Sequence, residues 1–74
     1  MKADQYICER AKCKAGMHIH KISNWIGLYR NSIEMYNIYT KKRNTRKAVN
    51  YQHQAELYEN ALSIFEATGS VLNV

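Results

Sequence analysis

Four side chains able to ligate a soft or borderline metal fall within thirteen residues: Cys8, Cys13, His18 and His20. Thiolate with imidazole is a zinc donor set. The spacing argues against it. One residue between the histidines is fewer than short zinc modules use, and four between the cysteines lies at the wide end of their range. If residues 4–15 form a regular helix, the two sulfurs also point apart, which disfavours a disulfide between them. Two helix cysteines and two histidines at a helix start is the plainer reading. No metal and no cofactor is therefore expected, and a small zinc-stabilised module ranks third among the readings.

Nucleophilic catalysis needs a base beside the thiol and a group to orient that base. Cys8 or Cys13 with His18 or His53 supplies the residue types, but nothing in the spacing brings them together. Glu56 and Glu59 share a helix face and read as a solvated pair. No phosphate-binding glycine loop is present. No catalytic residue is assigned, and the chain is not expected to be an enzyme.

The most concrete chemical feature is a run of cations. Lys41, Lys42, Arg43, Arg46 and Lys47 occupy seven residues with no acid among them. Their mutual repulsion would be relieved by a phosphate backbone, with release of its counterions. Tyr39 lies close enough in sequence to stack on a base or sugar. Positive charge at a helix C-terminus complements the dipole, which accounts for Lys41–Arg43. It does not account for Arg46 and Lys47, which fall at the start of the next helix, where positive charge is disfavoured. Trp25 is a further aromatic taken here as an exposed contact.

These residues must be positioned by helices. Ile19, Ile22, Ile26, Tyr29, Ile33 and Tyr36 are spaced 3, 4, 3, 4, 3, the period of a heptad seam. Ala48, Tyr51, Ala55, Tyr58, Leu62 and Phe65 repeat that spacing. Trp25, Leu28 and Met35 widen the first stripe, and Leu57, Ala61 and Ile64 the second. The pattern predicts an all-α single domain: a short helix over about 4–15, a long helix over about 17–43, a polar turn at 42–45, a second long helix over about 45–68, and a tail over 69–74. Asp4 is the expected N-cap of the first helix and Gly16 its left-handed stop. Asn44 or Thr45 caps the third helix, and Gly69 ends it. Gly27, inside the second helix, marks either a close helix crossing or a local weakness.

Two matched seams joined by a tight turn describe an antiparallel hairpin. Isoleucines on one side face alternating alanine and tyrosine on the other, so large meets small. Two helices alone cannot close a core. The first helix packing across the hairpin, together with self-association into a bundle, is the expected solution.

Composition narrows the function classes. The chain has 74 residues, 46% hydrophobic and 23% charged, with three glycines and no proline, which excludes a collagen-like or disordered chain. So short a domain leaves little room for a large core or a deep pocket. Charge is uneven. Residues 1–47 hold all eleven Lys and Arg with three acids, a net of +8, whereas residues 48–74 hold three Glu and neither Lys nor Arg, a net of −3. That asymmetry favours a polyanion at one end, or contact between copies. Met1–Lys14 is polar, so no secretory leader is expected, and Arg30 and Glu34 interrupt the most apolar stretch, so no membrane span is expected. Reduced cysteines then point to the cytoplasm. Abundant Ile, Lys, Asn and Tyr fit an AT-rich genome, and with the small size they point to a phage or mobile-element accessory protein. The expected function is that of a non-enzymatic, self-associating helical interaction protein that binds and inhibits or modulates a larger host macromolecule, a protein or a protein–nucleic-acid complex. The alternative is direct nucleic-acid binding by the basic turn.

Overall fold

The computed structural model describes residues 5–71. It is all-α, with three helices and no strand among the described residues: α1 (Gln5–Lys14), α2 (Ile19–Lys41) and α3 (Thr45–Thr68), with a 3₁₀ turn over Gly16–His18 between the first two. The expected cap Asp4, and Leu72 and Val74 of the tail, lie outside the described residues. The described chain measures 40 × 20 × 18 Å, and its long axis is close to the ~35 Å rise of α2 or α3.

Gly16 has φ +51° where α1 gives way to the 3₁₀ turn, and the His18 amide donates to the Ala15 carbonyl at 2.8 Å. This turn delays the start of α2 to Ile19, two residues after the position read from the sequence. At the far end Gly69 has φ +76° and its amide donates to the Phe65 carbonyl at 2.7 Å. A left-handed glycine thus closes α3, a conformation that any side chain would strain.

The 3–4 spacing is realised as burial. On α2, Ile22, Ile26, Tyr29 and Ile33 are buried, while Ile19 at the start is exposed and Tyr36 half-buried. On α3, Ala48, Ala55, Leu62 and Phe65 are buried, and the tyrosines between them, Tyr51 and Tyr58, are half-buried. Alanine admits close approach of the helices, and tyrosine keeps its hydroxyl toward the boundary. Two ring contacts join the helices. His18, just before α2, meets Phe65 near the end of α3 edge-on, with centroids 6.0 Å apart. Tyr39, near the end of α2, stacks on Tyr51 near the start of α3.

Helix α1 lies across one end only. Its Ile7, Cys8 and Ala11, with Ala15 just beyond it, join a single buried cluster with Ile22, Trp25, Leu62 and Phe65. Two polar contacts tie it to the end of α3. Arg10 Nε pairs with Glu66 Oε1 at 2.5 Å, and Lys14 Nζ donates to the Glu66 carbonyl at 2.8 Å. The lysine thereby satisfies one of the carbonyls that a helix C-terminus leaves unpaired.

One sequence expectation is corrected, and one open alternative is narrowed. Trp25 is not an exposed aromatic: it is 2% exposed and part of the core cluster, because the face it shares with Ile22 and Tyr29 is the one α1 helps to cover. Lys21 places its ammonium 5.8 Å from the Trp25 ring centroid. Gly27 makes no close crossing. A methyl group built on it would meet nothing within 4 Å, which leaves local weakness as its effect.

Candidate functional site

The end of the molecule away from α1 is built from the last turn of α2, a three-residue connector and the first turn of α3. The connector terminates one helix and starts the other within four residues. Arg43 donates its amide to the Thr40 carbonyl at 3.1 Å, and Asn44 donates to the Tyr39 carbonyl at 2.9 Å. These paired bonds, with Arg43 left-handed at φ +57°, form a Schellman termination. Glycine is the usual occupant of that position, and arginine there bears a steric cost of about 1–2 kcal/mol. Asn44 then turns to the next helix. Its Oδ1 accepts from the Lys47 amide at 3.3 Å, and its carbonyl accepts from the Ala48 amide at 3.0 Å. Of the two candidate caps, Asn44 is the one that bonds.

Lys41, Lys42, Arg43, Arg46 and Lys47 are all exposed on this tip. Among the described residues none of the five pairs with a carboxylate; the ion pair there joins Arg10 to Glu66 at the opposite end. Two of the five rest on an aromatic ring. The ammonium of Lys42 lies 5.7 Å and that of Lys47 5.1 Å from the Tyr39 ring centroid, within cation–π range. Both charges are thus held within about 11 Å of each other. Tyr39 itself is half-buried and stacked on Tyr51, with centroids 5.6 Å apart and planes 4° from parallel. Its role is to organise the lysines, and one face is already occupied.

A shallow groove of about 180 Å³ opens between α2 and α3 beside the tip. Tyr36, Ala48 and Val49 give it apolar walls, and Arg43, Thr45 and Gln52 give it a polar rim. The Thr40 hydroxyl, also at the groove, is engaged with the Tyr36 carbonyl at 2.8 Å. Arg43 therefore belongs to both the cationic tip and the groove.

The remaining candidates do not join this site. Trp25 lies sixteen residues before Lys41, about 24 Å along the helix axis, and is buried among α1 contacts. Cys8 is buried and Cys13 exposed, with no disulfide between them, while His18 packs edge-on against Phe65. Among the described residues no three His, Cys, Asp or Glu side chains gather into a group able to hold a metal, so Cys8, Cys13, His18 and His20 do not converge. The physical reason is the helical phase of the cysteines, which puts one thiol in the core and the other in solvent.

Sequence reasoning missed the groove residues Tyr36, Val49 and Gln52, the pairing of Tyr39 with Tyr51, and the left-handed Arg43. The tyrosine pair carried a signal: both lie a few residues from the connector, on opposite sides of it. Arg43 carried none, since its type disfavours the conformation it adopts.

No helix among the described residues is long and apolar enough to cross a membrane. Compared with known proteins, the chain matches no family model, no curated protein and no solved structure.

Proposed function

We propose that this chain is a non-enzymatic helical interaction protein that docks on a larger acidic macromolecule through its cationic tip and modulates it by occupying that surface. The observation that carries this reading is five exposed cations gathered on one end with no carboxylate partner among the described residues. Such a patch raises the local potential and speeds encounter with an anionic surface. The burial of Trp25 and the stacking of Tyr39 weigh the contact toward charge and away from free aromatic anchors.

In this reading α2 and α3 act as an antiparallel hairpin, supported by the ring contacts at their two ends. The hairpin self-associates into a bundle. Support comes from Met35 and Ile38 on α2, which are only half-buried, and from Leu57 and Ile64 on α3, which are exposed. A second copy would cover apolar surface that the single chain leaves wet. Work in the cytoplasm of a host cell, as a phage or mobile-element accessory protein, belongs to the same proposal and draws on two cysteines that form no disulfide and on the composition.

A generic polyanion tests the docking surface. A labelled heparin oligosaccharide should bind at low ionic strength, and the triple variant Lys42→Ala, Arg43→Ala, Arg46→Ala should lose more than about tenfold in affinity with an unchanged circular dichroism spectrum. Undiminished binding by that variant would rule the tip out. Sedimentation velocity across a concentration series tests self-association; a monomer at every concentration would remove it.

A further inference from the structure

We infer that the acidic partner is single-stranded nucleic acid, with its phosphates on the cationic tip and one unstacked base in the groove beside Arg43. This rests on the docking surface proposed above and names what it takes. Two features carry it. The first is charge density. Five cations within one connector and two helix ends call for closely spaced anions. A nucleic-acid strand presents one charge per ~3.4 Å of helix rise, whereas a polypeptide matches that only in an uninterrupted acidic run.

The second feature is the groove, which shares Arg43 with the tip. At about 180 Å³ it falls below the ~300–1,000 Å³ of pockets for drug-sized ligands, a scale suited to one flat ring. Tyr36 and Val49 offer apolar surface to a base, and Thr45 and Gln52 offer hydrogen-bonding groups to its edge. Cations for the backbone beside an aromatic ring on which a base can stack are the usual design for single strands, and Tyr36 is the ring in this groove.

Helix phase places these parts around the tip. Thr45, Val49 and Gln52 follow at i, i+4 and i+7 on one flank of α3, and Lys47 and Tyr51 at i and i+4 on the other. A strand with a base seated in the groove would cross Arg43 and Arg46 and reach Lys42 and Lys47 on the Tyr39 side. A path over the end of a molecule no more than 20 Å across its long axis suits a flexible single strand. A stacked duplex offers no free base to the groove.

Fluorescence anisotropy with a labelled oligothymidylate or oligouridylate, a duplex of equal length, and unlabelled polyglutamate as competitor tests the assignment on the full chain. The single strand should bind more tightly than the duplex, with log K falling against log salt at a slope near −3.5 for five neutralised phosphates. Lys42→Gln with Lys47→Gln should flatten that slope by about 1.4. Val49→Phe, which fills the groove, should weaken the single strand about fivefold or more and leave the slope unchanged. Circular dichroism confirms that each variant is folded. Equal or tighter binding of the duplex would overturn the single-strand assignment, and an unchanged affinity in Val49→Phe would overturn the base seat. Polyglutamate competing as well as the oligonucleotide would overturn nucleic acid as the partner while leaving the cationic docking surface intact. No binding of any acidic probe at low salt would overturn both.

Discussion

The Asn44 amide reaches back over Arg43 to the Tyr39 carbonyl at 2.9 Å, so the end of α2 is sealed by the residue that caps α3. Arg43, enclosed between these partners, must take φ +57°. The bond to Tyr39 also sets the stem of the residue that carries the Lys42 and Lys47 ammoniums. Helix termination and charge presentation are thus one local arrangement, and changes to it separate stability from binding.

Arg43→Gly should stabilise the fold while weakening polyanion binding. Glycine takes the left-handed conformation without the Cβ clash, against which stands its greater freedom in the unfolded chain. The net gain should be about 0.5–1 kcal/mol, read as a higher urea midpoint with unchanged slope. The same variant removes the cation shared by tip and groove. A lower midpoint would show that the guanidinium makes a stabilising contact larger than the strain.

Asn44→Ala should destabilise by about 1 kcal/mol, because it deletes the side-chain acceptor for the Lys47 amide at the exposed start of a 24-residue helix. Asn44→Asp should keep the cap and interact favourably with the helix dipole. Urea titrations of the three proteins check the order, which should run Asp at or above Asn, and Ala below. If Ala equalled Asn, the 3.3 Å bond would contribute nothing to stability.

How much of this was legible depended on period and on local stereochemistry. The 3–4 repeat through Ile22, Ile26, Tyr29 and Ile33, matched by Ala48, Ala55 and Leu62, states helix and buried face together, because the spacing of apolar residues is itself the helical pitch. Gly16 and Gly69 were legible for the same kind of reason, since a left-handed residue is cheapest as glycine. The cationic run could be read directly from Lys41 to Lys47. What could not be read was set by tertiary neighbours. Trp25 lies on the wide edge of its stripe, and only the path of α1 decides that it is covered. Ser32, buried to 2% exposure, falls outside the apolar repeat altogether. The groove depends on the relative rotation of α2 and α3 at Tyr36 and Val49, which no single-helix pattern encodes.

Gly27→Ala should raise stability by about 1 kcal/mol. The position is in the interior of α2, exposed, and has nothing within 4 Å of where the new methyl would stand. Alanine therefore gains helix propensity at no packing cost. In a domain of this size 1 kcal/mol corresponds to about 4–8 °C in Tm, well within the resolution of a thermal melt followed at 222 nm. Polyanion binding should be unaffected, because Gly27 lies far along α2 from the tip. An unchanged or lower Tm would mean that a second copy packs against this face, and the same melt at several protein concentrations would then show it.

Trp25 supplies both a probe and the most severe test of how α1 is held. It is the chain's single tryptophan and is 2% exposed, so its emission should be blue-shifted and resistant to acrylamide until the protein unfolds. Trp25→Ala should cost about 3–5 kcal/mol, a large fraction of the stability of so small a domain, and leave it largely unfolded at 37 °C. Trp25→Phe keeps a ring in the cluster and should cost less. Because α1 meets the same cluster, amide exchange in α1 of the phenylalanine variant should accelerate before that of Tyr39–Tyr51 at the far end. Red-shifted, freely quenched emission from the native protein would place the indole in water, and α1 could then not lie where these contacts put it.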